Sequence, residues 1–269
     1  MKRKPAVSGM FYPSQENELR MMLEKLLVSG NSAQKDKVKG IIVPHAGYVY
    51  SGKVAGLTYA NVAIPERIII LGPNHTGLGA AVSVMSEGIW EIPGHEAVID
   101  EQIAQKICER CSYAQSDTLG HMREHSIEVQ LPFILHLNPH IRFVPISLGT
   151  HSREVLEDLG EAISETVSEI RDDVLIIASS DMSHYVSQQD AEHFDQMAIE
   201  KILKMDHSGL IDTVTSEDIS MCGLSPVVVM MVACSSLGAT KSTLIHYNTS
   251  AEVSGDTSQV VGYAGMKIC

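Results

Sequence analysis

Three short apolar runs constrain this chain more than anything else in it, because each stops abruptly at a polar turn that carries a histidine. Ile41-Ile42-Val43 leads into Pro44-His45, and Ile68-Ile69-Ile70-Leu71 leads into Gly72-Pro73-Asn74-His75. Val174 to Ala178 leads into Ser179-Ser180-Asp181-Met182-Ser183-His184. None of the three alternates apolar with polar residues, which is the pattern of strands covered on both faces in an α/β sheet. In open sheets of that kind, ligands bind just outside the carboxyl ends of the strands. Three strand ends therefore bring His45, His75 and His184 to the edge where chemistry is usually done.

The rest of the chain alternates strands with helices. Residues 1–13, with Pro5, Gly9 and Pro13 around Phe11-Tyr12, read as an extended arm packed on the body. Ser14 is placed to cap a helix to about Val28 with Leu19, Met22, Leu23, Leu26 and Leu27 on one face. A polar connection, Gly30 to Lys37, leads to the first core strand. A helix reaches about Asn61 after the loop His45 to Gly52. Thr76 to Gly79 reads as glycine-rich loop, Ala81 to Met85 as a weak strand and Trp90 to Gly94 as a turn. Asp100 caps a helix to about Arg110. Glu124 to Leu137 places Ile127, Leu131, Ile134 and Leu135 on one helical face, interrupted by Pro132. A strand over Ile141 to Leu148 and a helix over Ser152 to Glu169 follow. Helices are expected over Gln188 to Lys204, near Gly209 to Val214, and from Cys222-Gly223-Leu224-Ser225-Pro226 to about Ser236, with Pro226 tolerated in the first turn. Lys241 to Tyr247 and Gln259 to Met266 read as closing strands. With no repeat or low-complexity linker, the expectation is one α/β domain over residues 1–269, a central mixed β-sheet flanked by helices.

Charge and cysteine content narrow the function. The formal net charge is −13, which argues against nucleic acid and anionic membrane surfaces as partners. The basic N-terminus lacks the apolar core of a signal peptide, and no apolar run is long enough to span a bilayer. The five cysteines (Cys108, Cys111, Cys222, Cys234, Cys269) are odd in number and lack zinc-finger spacing, so a reduced, cytoplasmic protein is expected. Neither glycine-rich nucleotide-binding signature is present, nor is a nucleophile elbow.

Of the twelve histidines, His136, His140, His151, His193 and His207 lie on helices or polar connections and receive no role. His45, His75 and His184 are set apart by position, since neutral imidazole is the commonest metal ligand and also serves as acid or base near neutral pH. Cys222 precedes an apolar helix, where the helix dipole favours a thiolate. It reads equally as a soft metal ligand or nucleophile and as a small buried apolar residue. Asp181, three residues before His184, is placed to orient an imidazole or hold a metal-bound water. His125 and Glu128, three apart on one expected helical face, are candidate substrate contacts. So are Tyr48 and Asn74, which sit beside His45 and His75.

The motifs PHAGYVYSG (44–52), LGPNHTG (71–77), EHSIEVQLPF (124–133), SSDMSHY (179–185) and MCGLSPV (221–227) together resemble the Memo-like family. Its prokaryotic members are known as protein B of the AmmeMemoRadiSam system. The resemblance extends from SGMFYP (8–13) to VVGYAGM (260–266), essentially the whole chain. It implies a fold like that of the class III extradiol ring-cleaving dioxygenases and a pocket of two histidines and a cysteine, which map to His45, His75 and Cys222. It also implies that His184 is the acid–base histidine, with Asp181 beside it. A thiolate in place of the dioxygenase carboxylate widens the choice of metal from Fe2+ to copper or zinc. The expected function is a metal-dependent redox enzyme acting on an unknown small molecule. The alternative is a non-catalytic module that uses the same pocket to recognise a peptide or protein. Gene neighbours of the radical-SAM type are implied as partners.

Overall fold

The computed structural model describes residues 1–27 and 35–269. The expected helix end at Val28 and most of the connection Gly30 to Lys37 lie outside the described residues. In chain order the first six strands are β1 (Lys2–Arg3), β2 (Gly40–Val43), β3 (Arg67–Pro73), β4 (Val82–Val84), β5 (Ile89–Ile92) and β6 (His95–Ile99). They are followed by β7 (Ala114–Ser116), β8 (Arg142–Leu148), β9 (Val174–Ser179), β10 (His184–Val186), β11 (Ser242–Thr249) and β12 (Val260–Ile268). The apolar runs form the middle of this mixed sheet, as four parallel strands in the order β8-β3-β9-β2. β12 runs antiparallel beside β2 and pairs onward with β10 and β11. On the other flank, β6 is parallel to the first part of β8, and the β5–β6 hairpin carries β1 at its edge.

Because consecutive strand residues point to opposite faces, each apolar run feeds two cores. Ile41, Val43, Ile68, Ile70, Leu175 and Ile177 lie in one, with residues of α1 (Glu16–Leu26), α2 (Tyr48–Ala60) and, after α3 (Glu101–Arg110), α4 (Leu131–Leu137). Ile42, Ile69, Leu71, Ile176 and Ala178 lie in the other. There they meet α5 (Arg153–Ser168), α6 (Gln188–Leu203), α7 (His207–Ser216) and α8 (Leu224–Ser236), while a short α9 (Ala251–Ser254) precedes β12. Every residue of α8 from Leu224 to Cys234 is buried, as an all-apolar helix requires.

Several elements differ from expectation. Ile89–Ile92 is a strand and Trp90 is fully buried, so only Pro93-Gly94 makes the turn, with Gly94 at φ 80°. A Pro-Gly pair suits a tight turn because glycine adopts the left-handed backbone at no steric cost. The strand after it, HEAVI, buries only Ala97 and Ile99, an alternation too short to read from the sequence. Ser14 does not cap α1, whose N-cap position is Gln15 with no side-chain bond. The segment from Glu124 is helical only from Glu128, first as a 3-10 turn and then as α4, and Pro132 lies in the first turn of α4 rather than interrupting it. His125 and Glu128 therefore do not share a helical face. His184 opens the edge strand β10, whose register slips at Tyr185, a residue in left-handed backbone at φ 57°.

Candidate metal centre

The parallel order β3-β9-β2 puts the ends of three strands side by side, so the residues just beyond them converge. Pro44-His45 follows β2, Asn74-His75 follows β3, and Ser179 closes β9 between them. The irregular segment 121–127 crosses this edge and adds His125. One ring nitrogen each from His45, His75 and His125 lies within 4.8 Å of the other two. An ion held at roughly 2.1 Å keeps its nitrogen ligands within about 4 Å of one another. Sharing one ion therefore asks for less than about one ångström of closure in the widest pair.

Two of the imidazoles, His45 and His75, are oriented through an Nδ1 hydrogen bond. The His45 Nδ1 is 2.9 Å from the Ser179 hydroxyl. That hydroxyl donates its only proton to the Ser126 carbonyl at 2.6 Å and accepts from the Gln130 amide at 2.9 Å. The proton on the His45–Ser179 contact must then come from His45, which leaves its Nε2 with a lone pair. The His75 Nδ1 meets Glu124 Oε1 at 2.9 Å, and the His125 Nδ1 lies 3.4 Å from the same oxygen. One buried carboxylate therefore bonds the His75 ring and lies beside the His125 ring. Holding the far nitrogen of a histidine with an oxygen acceptor is the usual way a protein fixes the tautomer of a metal ligand.

The electrostatics agree with that arrangement. Burial, aided by the neighbouring His125 and His75, holds the His45 imidazole well below its ordinary value, so it is neutral. Burial pulls His75 down, but the Glu124 hydrogen bond and charge outweigh it and the net direction is up. Burial raises Glu124, yet the His75 ring and the Ser126 amide hold its carboxyl down at about 2. Glu124 also accepts from the backbone amides of His75 at 2.6 Å and His125 at 2.9 Å.

Cys222 reaches this edge from the turn before α8, with its Sγ 3.2 Å from His45 Nε2. It touches one ring of the group and does not belong to the mutually close set. The thiolate expected from its helix-start position is corrected: burial, and then the charge of Asp181, push the thiol well above its ordinary value. In the metal-free protein the group is a thiol, placed to donate to the His45 lone pair. Asp181 is buried, and its Oδ1 accepts from the His45 amide at 2.7 Å. Burial raises its carboxyl despite the His45 amide and the nearby His184. His184 is half-buried, and its Nδ1 lies 2.9 Å from the Ser220 carbonyl, an acceptor only, so its Nε2 is the basic nitrogen.

Two expected substrate contacts are corrected. Glu128 is fully buried and paired with Arg3, and its carboxylate also accepts from the Ala6 and Val7 amides and the Tyr12 hydroxyl. Tyr48 is buried, with its hydroxyl donating to the Val129 carbonyl at 2.6 Å. Asn74 uses its side chain to close the loop to Leu78, accepting from Thr76 and Gly77. Sequence reasoning missed Glu124 and Ser179. The signal for Glu124 was its place directly before His125.

A family model for the Memo-like protein matches residues 3–267. The chain belongs to the Memo-like family. Among curated relatives it is similar to a MEMO1 family protein of Methanopyrus kandleri, 40% identical over 99% of this chain and 98% of that one. It is also similar to a MEMO1 family protein of Aquifex aeolicus, 41% identical over 98% of both chains. A crystal structure of an uncharacterized protein from Escherichia coli K12 aligns with a TM-score of 0.54 at 10% identity, covering 86% of this chain and all of that one. That likeness concerns the fold alone. In this Memo-like chain no helix among the described residues is long and apolar enough to cross a membrane.

Proposed function

We propose that this protein is a metal-dependent redox enzyme acting on a small molecule, with His45 and His75 as two ligands of a single ion and His125 or Cys222 completing the set. The observation that carries this reading is that His45 and His75 each have their Nδ1 hydrogen-bonded to an oxygen acceptor while ring nitrogens of His45, His75 and His125 cluster. Of the three histidines, His45 is buried and His125 is partly buried. Imidazole suits zinc, copper and iron alike, and the adjacent thiol adds a softer donor. A bound ion would supply Lewis acidity and, if iron or copper, electron transfer.

The protein's own groups supply orientation and proton movement. Glu124 and Ser179 fix the rings. Asp181 sits 4.0 Å from His45 Nε2 through its Oδ2, and burial raises its affinity for a proton, so it is placed to exchange one with a group bound beside His45. His184 offers Nε2 as a second proton carrier from the half-buried side. A partner of the radical-SAM type is part of the same proposal, as the source or consumer of the small molecule.

Elemental analysis of protein purified without oxygen tests the reading. Near-stoichiometric iron or copper is expected. A clean apo protein that takes up neither Fe2+ nor copper, yet binds a peptide or protein through this edge, would overturn it in favour of a recognition module.

A further inference from the structure

The N-terminal arm supplies no ligand to the histidine cluster, yet it is tied into the segment that presents His125 and, through Glu124, orients His75. Arg3, in β1, has a wholly buried side chain, with its guanidinium 3.9 Å over the Trp90 ring. Its Nε donates to the His121 carbonyl at 2.7 Å, its Nη2 to the Glu124 carbonyl at 2.6 Å and its Nη1 to Glu128 Oε2 at 2.7 Å. All three acceptors lie within residues 121–128. Glu128 in turn binds the arm through Ala6, Val7 and Tyr12. The Phe11 ring then packs edge-on against His125, with centroids 4.8 Å apart.

We propose that Arg3 is a positioning residue for the metal centre. It holds the 121–126 loop in the shape that lets Glu124 orient His75 and brings His125 to the other two rings. The proposal rests on the metal reading given above. Its physical basis is that this loop has no regular backbone ladder of its own, while ordering its residues costs backbone entropy. Charge-assisted bonds from a rigid planar fork supply the order instead. A lysine at position 3 has one ammonium on a flexible stem and cannot serve three separated acceptors with fixed directions. Removing the arginine alone would strand the Glu128 charge in the core, so the neutral pair Arg3→Met with Glu128→Gln is the cleaner probe.

The test compares Zn2+ affinity, by competition with a chromophoric chelator, among the full-length protein, Arg3→Lys, and Arg3→Met/Glu128→Gln. A further variant, Leu156→Ala, opens the core on the opposite face of the sheet and controls for general destabilisation. Outer-shell groups of metal sites typically tune affinity by about 10–100-fold. A loss of that size is expected in both arm variants, with faster amide hydrogen exchange at His125 and Ser126 in the metal-free protein. Leu156→Ala should keep its Zn2+ affinity at an equal loss of thermal stability. Unchanged affinity in the arm variants, or an equal loss in the control, overturns the positioning role and leaves the metal reading standing. If the full-length protein itself takes up none of Zn2+, Fe2+ and copper, the metal reading falls. Exchange at His125 and Ser126 then decides, with rates unchanged by the arm variants overturning the role. Failure of both arm variants to fold makes Arg3 a folding residue only, and overturns it as well.

Discussion

His75 and Glu124 are joined twice: the His75 amide donates to Oε2 at 2.6 Å while its ring Nδ1 meets Oε1 at 2.9 Å. This double contact fixes both the backbone and the ring of a residue that is otherwise about one-third exposed. A flexible exposed histidine makes a poor ligand because its rotamer entropy is lost on binding. Here most of that ordering is done in advance.

Replacing Glu124 with glutamine keeps the side-chain volume but turns one oxygen toward its donors as an NH2 group. The expected outcome is a metal affinity lower by about 10–100-fold with the fold retained. Isothermal titration with Zn2+ checks it, and an unchanged affinity would show that His75 needs no clamp.

The histidines should separate by role. Alanine at His45 or His75 is expected to abolish stoichiometric metal binding, whereas His184→Ala should keep the metal. If His184 moves protons, its loss should cost about 10²–10⁴-fold in rate. Titrating His125→Ala and Cys222→Ala beside them identifies the third ligand. A His184→Ala protein that loses metal as fully as His45→Ala would make His184 a ligand.

Cys222 is a thiol in the metal-free protein, so coordination must displace its proton. Metal addition in weak buffer near pH 7 should release about one more proton from the native protein than from Cys222→Ser. Equal release from the two would remove Cys222 from the ligand set.

Acid should loosen the site before the rest of the core. The Glu124 carboxyl is held at about 2, below its ordinary 4.5. A group depressed in the folded state stabilises fully above its unfolded value and loses that contribution as pH falls through its folded value. The window is therefore pH 4.5 down to 2, and the contribution at neutral pH is roughly 3 kcal/mol. Chemical denaturation at stepped pH should show a smaller dependence across this window in Glu124→Gln. An identical dependence in the two proteins would contradict the assignment.

Gly223, between Cys222 and α8, should not tolerate a side chain. A Cβ there would lie 2.2 Å from the Ser180 Cβ and 2.6 Å from the Ser179 carbonyl. Gly223→Ala is expected to cost about 1–3 kcal/mol and to weaken metal binding, because Ser179 also holds His45. Thermal melting and metal titration together check both effects, and wild-type values in each would refute the close approach.

The sequence alone determined the parallel core and its histidine-bearing edge. Unbroken β-branched runs such as Ile68 to Leu71 have few places to go except a strand covered on both sides, and the histidines that follow must then sit at the strand ends. His45 and His75 were legible for that local reason, and Cys222 through the motif MCGLSPV. Tertiary structure decided the rest. His125 joins His45 and His75 because an irregular loop carries it across the sheet edge, and helical periodicity had placed it beside Glu128 on a face that does not exist. Glu128, charged and close to the site in sequence, is buried against Arg3 of the N-terminal arm. Glu124 acts on the site through its bonds to His75, 49 residues before it. Such contacts depend on where distant segments meet once both cores are packed, and no local pattern of residues records that.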